Sequence, residues 1–504
     1  MSHTPNSQPK LPWMNHFHLV VPNATGAAIL MLPTAEGWAL PYARGEDFWL
    51  AETGKIAAHL HASLDLGFRF TLLRYIAIEE GIEEGIEEGI EEGIEANTEQ
   101  RWDRILFVLE PAESLIQPPL HGQWIDHATL RELPLMFPDQ RAPLLAYLEE
   151  NQAQEHAGSS LPTDSPTDSP IDSRRAPWAR VGWFAQASAW IAEAIVALGY
   201  VQTGDIEPLR NWSISSVLTV PTSVGRVYFK AAAALPLFVN EPALTQTLVQ
   251  HFPRHLPTPL KIDAEKRWML MADFGPSARR AAEVDYAPIM QTYGALQAAS
   301  ANHLDALHNA GCINRRLDVL STQIDSLIAN PITQSVITPQ EFEKLVALAP
   351  LLKERCVTLA QYNVPATLLH GDLHMGNIAL RDSAMHNSTM HHSTMHHSTM
   401  HNREPLFFDW TDAAISFPFF DMIMPYFELD AVEAAPIRDA YLLAWHNNES
   451  PERLLEAWEM AKPLCALHHS ISYLTIVENI EPLTQHELIH GLPHNLRNLL
   501  ACFD

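Results

Sequence analysis

Three stretches of this 504-residue sequence have too little to bury to belong to a packed core, and they decide how the rest can be divided. The first is EEGIEEGIEEGIEEGIE, nine glutamates between Glu79 and Glu95 with glycine at every fourth position. Its four-residue repeat matches neither a helical nor a strand period, and its like charges repel. It reads as an extruded, mobile loop. The second, SSLPTDSPTDSPIDS from Ser159 to Ser173, has the composition of an interdomain linker. The third, MHNSTMHHSTMHHSTMHN from Met385 to Asn402, repeats with period five. All three look like tandem expansions, which surface loops tolerate because closure entropy grows slowly with length.

A chain this long exceeds one core, and with 47% apolar residues it can build two or three. The linker sets an expected division: residues 1–155, a linker at 156–176, and a second part at 177–504. A net charge of −28 argues against binding a nucleic-acid backbone, which requires a basic patch. No apolar run approaches the ~20 residues of a membrane span, and the start MSHTPNSQPKLPW has no secretory pattern. Cys312, Cys356, Cys465 and Cys502 show no CxxC spacing, so neither a zinc framework nor a disulfide scaffold is expected. The expected compartment is the cytoplasm.

The second part opens with an amphipathic helical pattern, Trp178 to Tyr200. Two strand-like runs follow, Trp212–Val220 and Gly225–Ala231, joined by a turn at Pro221–Val224. From Ala282 onward most of the chain reads as helix, including Glu341–Tyr362 and Pro436–Glu478. A strand–turn–loop block between Ala366 and Asp421 interrupts it. A small strand-bearing region before a larger helical one is an α+β, two-lobed pattern.

The interrupting block carries the chemistry. His370-Gly371-Asp372-Leu373-x-x-x-Asn377 has the spacing of a kinase catalytic loop. There a carboxylate orients the attacking hydroxyl, here Asp372, and an amide oxygen holds a hard metal ion, here Asn377. Phe407-Phe408-Asp409 ends an apolar run, as expected of a strand that delivers a carboxylate to the same metal. Asp412 reads as a solvated or capping residue.

HGDLHMGN, then FFDW, then FPFFDM is similar to the aminoglycoside-phosphotransferase family, which includes choline-kinase-like enzymes. The resemblance covers roughly Trp178 to the C-terminus and is strongest from Leu368 to Asp421. It implies a protein-kinase-like fold with its small β-rich lobe at 177–275 and its large helical lobe at 276–504. It also implies ATP or GTP with Mg²⁺ as cofactors, a small-molecule hydroxyl acceptor, and a structural role for Asp421. Paired strands at Ile378–Leu380 and Leu406–Phe408 would let the histidine repeat protrude from their turn. Lys230, ending the second strand of the hairpin, would grip the nucleotide phosphates, with Glu241 as its ion-pair partner. Met271 and Asp273 in WMLMADFG would meet the base, and Asp-Phe-Gly at 273–275 is a decoy because it precedes the catalytic loop. The hairpin lacks a G-x-G-x-x-G loop; Ser213, Ser215 and Ser216 stand where glycines would cover phosphates, making Ser215 and Ser216 nucleotide-loop candidates. From Glu404 onward 16 acidic residues face 4 basic ones, which would suit a cationic acceptor.

The order of strands and helix before the linker is weakly similar to Nudix hydrolase domains. HFHLVVP, AAILML, RFTLLRYIAI and RILFVLE read as strands, with a helix in IAAHLHASLDLG. Such enzymes need glutamates on that helix for Mg²⁺, and Lys55–Leu66 has none, so a non-catalytic accessory domain is expected. Two rivals to the kinase are a catalytically silent nucleotide sensor and a metallopeptidase built on His486-Glu487-x-x-His490. The second suffers from Pro482 and Gly491-Leu492-Pro493, which confine any helix there to barely two turns.

Overall fold

The protein is described from a computed structural model covering residues 13–46, 48–87, 96–156, 172–280, 284–382 and 403–504. It forms two compact units, Met1–Trp190 with Glu207–Leu218, and Ile191–Ile206 with Thr219–Asp504. The linker's residues 157–171 and the histidine repeat lie outside the described residues.

The first unit contains β1 (Trp13–Val20), β2 (Ala28–Thr34), β3 (Gly37–Ala39), β4 (Tyr42–Glu46), α1 (Thr53–Ser63), β5 (Phe70–Glu87), β6 (Ala96–Pro111), β7 (Gln123–Asp126), α2 (His127–Leu130) and α3 (Arg141–His156). Strands order as β4-β1-β6-β5 and β3-β2-β7, with β1 and β6 parallel. Val20, Ile29, Met31, Leu106, Val108 and Ile125 from the strands meet Leu144, Tyr147 and Leu148 of α3 in one apolar cluster. The four expected strands and the helix are present. The acidic repeat departs from expectation: Glu79–Glu87 continues β5, paired to Arg104–Ala96 of β6. A four-residue repeat is a multiple of the strand period of two, so it is compatible with a ladder whose hydrogen bonds come from backbone alone. Residues 88–95 lie outside the described residues.

The expected helix from Trp178 is broken. Pro177–Ala179 forms a single 3₁₀ turn, Gly182 takes φ +85°, and α4 runs only from Trp183 to Ala197. Glycine adopts that left-handed angle freely, and it turns the chain between the two helical pieces. Beyond α4, β8 (Glu207–Asn211) and the first half of β9 (Ser215–Thr222) belong to the first unit. Asn211 N–H donates to Ala51 O at 2.9 Å, Trp178 Nε1 to Trp212 O at 2.7 Å, and the Trp49 and Trp212 rings meet edge to face.

In the second unit, the end of β9, β10 (Gly225–Ala232), β12 (Trp268–Ala272) and β11 (Lys261–Asp263) form an antiparallel sheet in that order, with α5 (Glu241–His251) between β10 and β11 in the chain. Strand alternation buries Val227, Phe229 and Ala231 and sends Lys230 to the opposite face. The larger part contains α6 (Tyr286–Ser300), α7 (Leu304–Asn309), β13 (Ile313–Asn314), α8 (Leu317–Ala329), α9 (Pro331–Val336), α10 (Pro339–Leu359), β14 (Thr367–Leu369), β15 (Ile378–Asp382), β16 (Arg403–Phe407), β17 (Ala414–Ser416), α11 (Ile423–Phe427), α12 (Ala431–Leu442), α13 (Pro451–Asn479) and α14 (Gly491–Ala501). β15 and β16 pair antiparallel, Ile378 with Phe407 and Leu380 with Pro405, so the histidine repeat lies between two paired strands as expected.

α10 begins in a capping box: Thr338 Oγ1 accepts from Glu341 N, and Glu341 Oε2 accepts from Thr338 N. The helix-like stretch Pro436–Glu478 is the end of α12 and nearly all of α13. Ser450 caps a new start, and Pro451 excludes helical geometry from the residue before it. The core joins Leu320 and Ile324 of α8, Leu352 and Cys356 of α10, Phe419, and Leu464–Leu467 of α13. No helix among the described residues is long and apolar enough to cross a membrane.

Candidate active site

β14 is buried at all three positions and delivers the chain to His370 and Gly371. Gly371 takes φ +82°, and a Cβ there would lie 2.1 Å from the Asp412 carbonyl oxygen. Only glycine fits. The buried Asp421 carboxylate fixes this turn: Oδ2 accepts from His370 N (2.8 Å), Tyr293 Oη (2.5 Å) and Gln297 Nε2 (3.0 Å), and Oδ1 from Gly371 N (2.8 Å). Burial raises its pKa to about 6, a rise that these donors limit.

His370 links the two chemistry-bearing segments. Its Nε2 donates to Phe408 O at 2.8 Å, which leaves Nδ1 to accept from Asp372 N at 3.4 Å. Burial pushes the ring's pKa down to about 4, so it stays neutral and can play both parts. Its ring also packs on Trp410, centroids 4.6 Å apart.

Asp409 leaves the hairpin with φ +67°, a left-handed angle that costs a non-glycine residue of order 1–3 kcal/mol. Contacts on both sides hold it there. Phe408 N donates to Asn377 O, Trp410 N to Glu241 Oε1, and Val239 N to Thr411 O. Lys230 Nζ sits 2.5 Å from Asp409 Oδ1 and 2.7 Å from Glu241 Oε2. Burial opposes the charge on Asp409, yet the ammonium outweighs it and holds the carboxyl below its ordinary value. For Lys230 the same balance, burial against two carboxylates, leaves the ammonium held more tightly protonated. Glu241, almost fully buried, is pushed up by burial despite Lys230. Thr411 Oγ1 lies within 3.3 Å of all three groups and has one proton to give.

Asn377 Nδ2 donates to Asp372 O (2.9 Å) and to Asp372 Oδ2 (3.2 Å), so its Oδ1 is left as an acceptor. Burial and the nearby Asp409 carboxylate push Asp372 up to about 7. Asp412 is no solvated cap. It is half-buried, and burial followed by the charges of Asp372 and Asp409 raises it well above the carboxylate range. The close approach of Gly371 to its backbone seats it there, a tertiary contact invisible in the local sequence. Among the described residues no three His, Cys, Asp or Glu side chains form a metal cage. Asn377 and Asp409 offer an amide and a carboxylate oxygen, donor types that could hold a hard cation.

The remaining expected residues are Met271 and Asp273, at and just past the end of β12, which pairs with the Lys230-bearing β10, and Ser215 and Ser216 of the first unit. Met271 is buried in β12 opposite Tyr228, and the exposed Asp273 accepts from Gly275 N in a tight turn. Ser215 and Ser216 belong to the first unit, where Ser215 Oγ accepts from Trp212 Nε1 and Ser216 Oγ donates to Asn211 Oδ1. The zincin pattern fails. His486 and Glu487 lie in a 3₁₀ turn and His490 stands just before α14 without a side-chain capping bond, because Gly491-Leu492-Pro493 starts a new helix. Sequence reasoning missed Thr411, Tyr293 and Gln297; the last two sit four apart on the buried face of α6, and polar residues on an apolar face were the signal available.

No known family model matches the sequence, and no curated protein does. Solved structures do show similarity. The apo macrolide 2′-phosphotransferase of Brachybacterium faecium aligns with 60% of this chain and 97% of its own, at 14% identity and a TM-score of 0.41. A choline/ethanolamine kinase family protein from Mesorhizobium loti aligns with 63% of this chain and 98% of its own, at 12% identity and 0.41. The GDP complex of an aminoglycoside 2′-phosphotransferase aligns with 61% and 98%, at 13% identity and 0.39. The chain is thus similar to proteins whose names describe small-molecule phosphotransferases and kinases.

Proposed function

We propose that the second unit is a small-molecule kinase that moves the γ-phosphate of ATP or GTP to a hydroxyl. The observation that carries this reading is the convergence of Lys230, Glu241 and Asp409 through direct ion pairs, with Asp372 and Asn377 tied to Asp409's strand through His370 and Phe408. Phosphoryl transfer asks a protein for positioning and charge neutralisation, and these groups supply both. Asp372 orients the acceptor hydroxyl and accepts its proton. The oxygen so activated bonds to the γ-phosphorus, the bond to the β–γ bridging oxygen breaks, and the nucleoside diphosphate leaves. A carboxyl whose pKa lies near 7 suits that task, since at neutral pH a large fraction is ionised and that form is basic enough to take a proton. Lys230 would exchange part of its hold on Asp409 for the α/β-phosphates, with Glu241 keeping it in place. Mg²⁺ held by Asn377 Oδ1 and Asp409 would neutralise phosphate charge.

The test is phosphate transfer from MgATP and MgGTP to a panel of amino sugars, sugars and amino alcohols, with Asp372→Ala beside the wild type. Transfer to one acceptor, reduced about 10²–10⁴-fold in the variant, is expected. Equal transfer by both proteins would sink the assignment of Asp372.

The first unit we read as a Nudix-like accessory unit without hydrolase activity. Its α1, TGKIAAHLHAS, has no acidic residue to hold the Mg²⁺ such hydrolysis needs. The cysteines, none in a disulfide, agree with the cytoplasm as the working compartment.

A further inference from the structure

One cation beside the catalytic loop takes no part in the arrangement so far. Residues 278–280 form a 3₁₀ turn whose Ala278 is buried in the core, and Ser277 just before it bridges Ala379 of β15, two residues past Asn377. The turn is thereby pinned to the catalytic hairpin. It carries Arg279 over the His374–Asn377 segment: a Cβ on Gly376 would lie 3.6 Å from the guanidinium carbon. The guanidinium is exposed and makes no hydrogen bond or ion pair with any described residue. Scarcity of partners does not explain this, because the chain has 60 acidic and 32 basic residues. Most arginines of the same unit are engaged: Arg254 and Arg381 with Glu404, Arg453 with Glu449, Arg497 with Glu341.

The charge balance of the proposed reaction requires such a group. A nucleoside triphosphate brings about four negative charges, of which one Mg²⁺ offsets two. Lys230 is shared between two carboxylates, so its single charge is already matched inside the protein. Arg279 is the cation beside the turn between Asp372 and Asn377, and its charge is felt at both Asp372 and His374.

We propose that Arg279 contacts the γ-phosphate of the bound nucleotide and neutralises the charge on the transferring group. A planar guanidinium with five donors suits phosphate oxygens better than an ammonium does. The inference rests on the kinase reading and deepens it at the same site.

The test is calorimetric binding of two Mg²⁺-bound probes to the full chain: ADP, and the non-hydrolysable β,γ-imido analogue of ATP. Wild type, Arg279→Ala, Arg279→Lys and Arg280→Ala are compared. Arg279→Ala is expected to weaken the triphosphate analogue about tenfold while ADP binding changes less than about twofold. Arg279→Lys should recover part of the loss, and Arg280→Ala should resemble wild type. Equal weakening of both nucleotides, or of neither, overturns the role of Arg279 and leaves the kinase reading intact. Binding of neither nucleotide by the wild type overturns the kinase reading itself.

Discussion

Asp409 and Asp421 are both inward-facing carboxylates of one unit, twelve positions apart, and they are satisfied in opposite ways. Asp421 is 2% exposed, meets four neutral donors and no cation, and has its pKa raised. Asp409 keeps 38% of its side chain exposed, meets a lysine, sits at a strained backbone angle, and has its pKa lowered. A carboxylate meant to hold a loop is enclosed by fixed dipoles that leave it nothing else to bind. Asp409 keeps an open side with a cation beside it, the arrangement that its proposed ligand-holding role would use.

The contrast can be broken most forcefully at Asp409. Asp409→Asn should lower phosphate transfer by about 10³-fold or more, since the carboxylate proposed to hold the metal is lost, with a smaller loss of stability than at Asp421 because Lys230 keeps its pair with Glu241. Transfer kinetics beside a thermal melt decide it; a large fall in melting temperature would make Asp409 another structural carboxylate. Asp421→Ala should do the reverse. It strands the amides of His370 and Gly371, the Tyr293 hydroxyl and Gln297, and about 3 kcal/mol of stability should be lost in urea unfolding. Unchanged stability with lost activity would move Asp421 to the catalytic side.

Titration sharpens the comparison. For Asp421 the folded pKa, about 6, lies above the unfolded value near 3.8, so its ionisation contribution is fully present below about pH 4 and fades as pH rises through 6. The stability advantage of wild type over Asp421→Asn should therefore shrink between pH 4 and pH 6 and stay flat above. Asp409, shifted the other way, contributes above its unfolded pKa and loses that contribution as pH falls through the folded one. Matched unfolding curves of Asp421→Asn and Asp409→Asn across pH 3–7 should slope in opposite senses. The smallest stability effect is expected for Asp409→Gly, where relief of the left-handed backbone offsets part of the lost ion pair with Lys230; it should abolish transfer while apo stability changes by no more than about 1 kcal/mol in either direction.

Asp372 and Asn377 were legible from the sequence because they are five residues apart in one loop, and the spacing itself encodes their meeting through Asn377 Nδ2. Asp409 was legible as the end of an apolar strand, and Lys230 and Glu241 through resemblance to a family. Asp412 was misread because its neighbour is Gly371, brought beside it only by the pairing of β14 with β17. The acidic repeat was misread because its composition suggested repulsion, whereas a paired strand needs only backbone groups and a period commensurate with two. Nothing local ties Glu207–Leu218 to the first unit; Ala51, Trp49 and Trp178 do, from far along the chain.

The sequence by itself determined which atoms could do chemistry and where the chain could fold at all. Motif spacing, strand alternation and capping residues act over a few positions, and such information is written locally. Only the tertiary structure decided which carboxylate is enclosed and which is open, that Asp409 is held in a left-handed turn, and that Arg279 lies over the catalytic loop without a hydrogen-bond or ion-pair partner among the described residues. Those depend on contacts between segments far apart in the chain, such as Lys230 with Asp409, and on the desolvation that packing imposes.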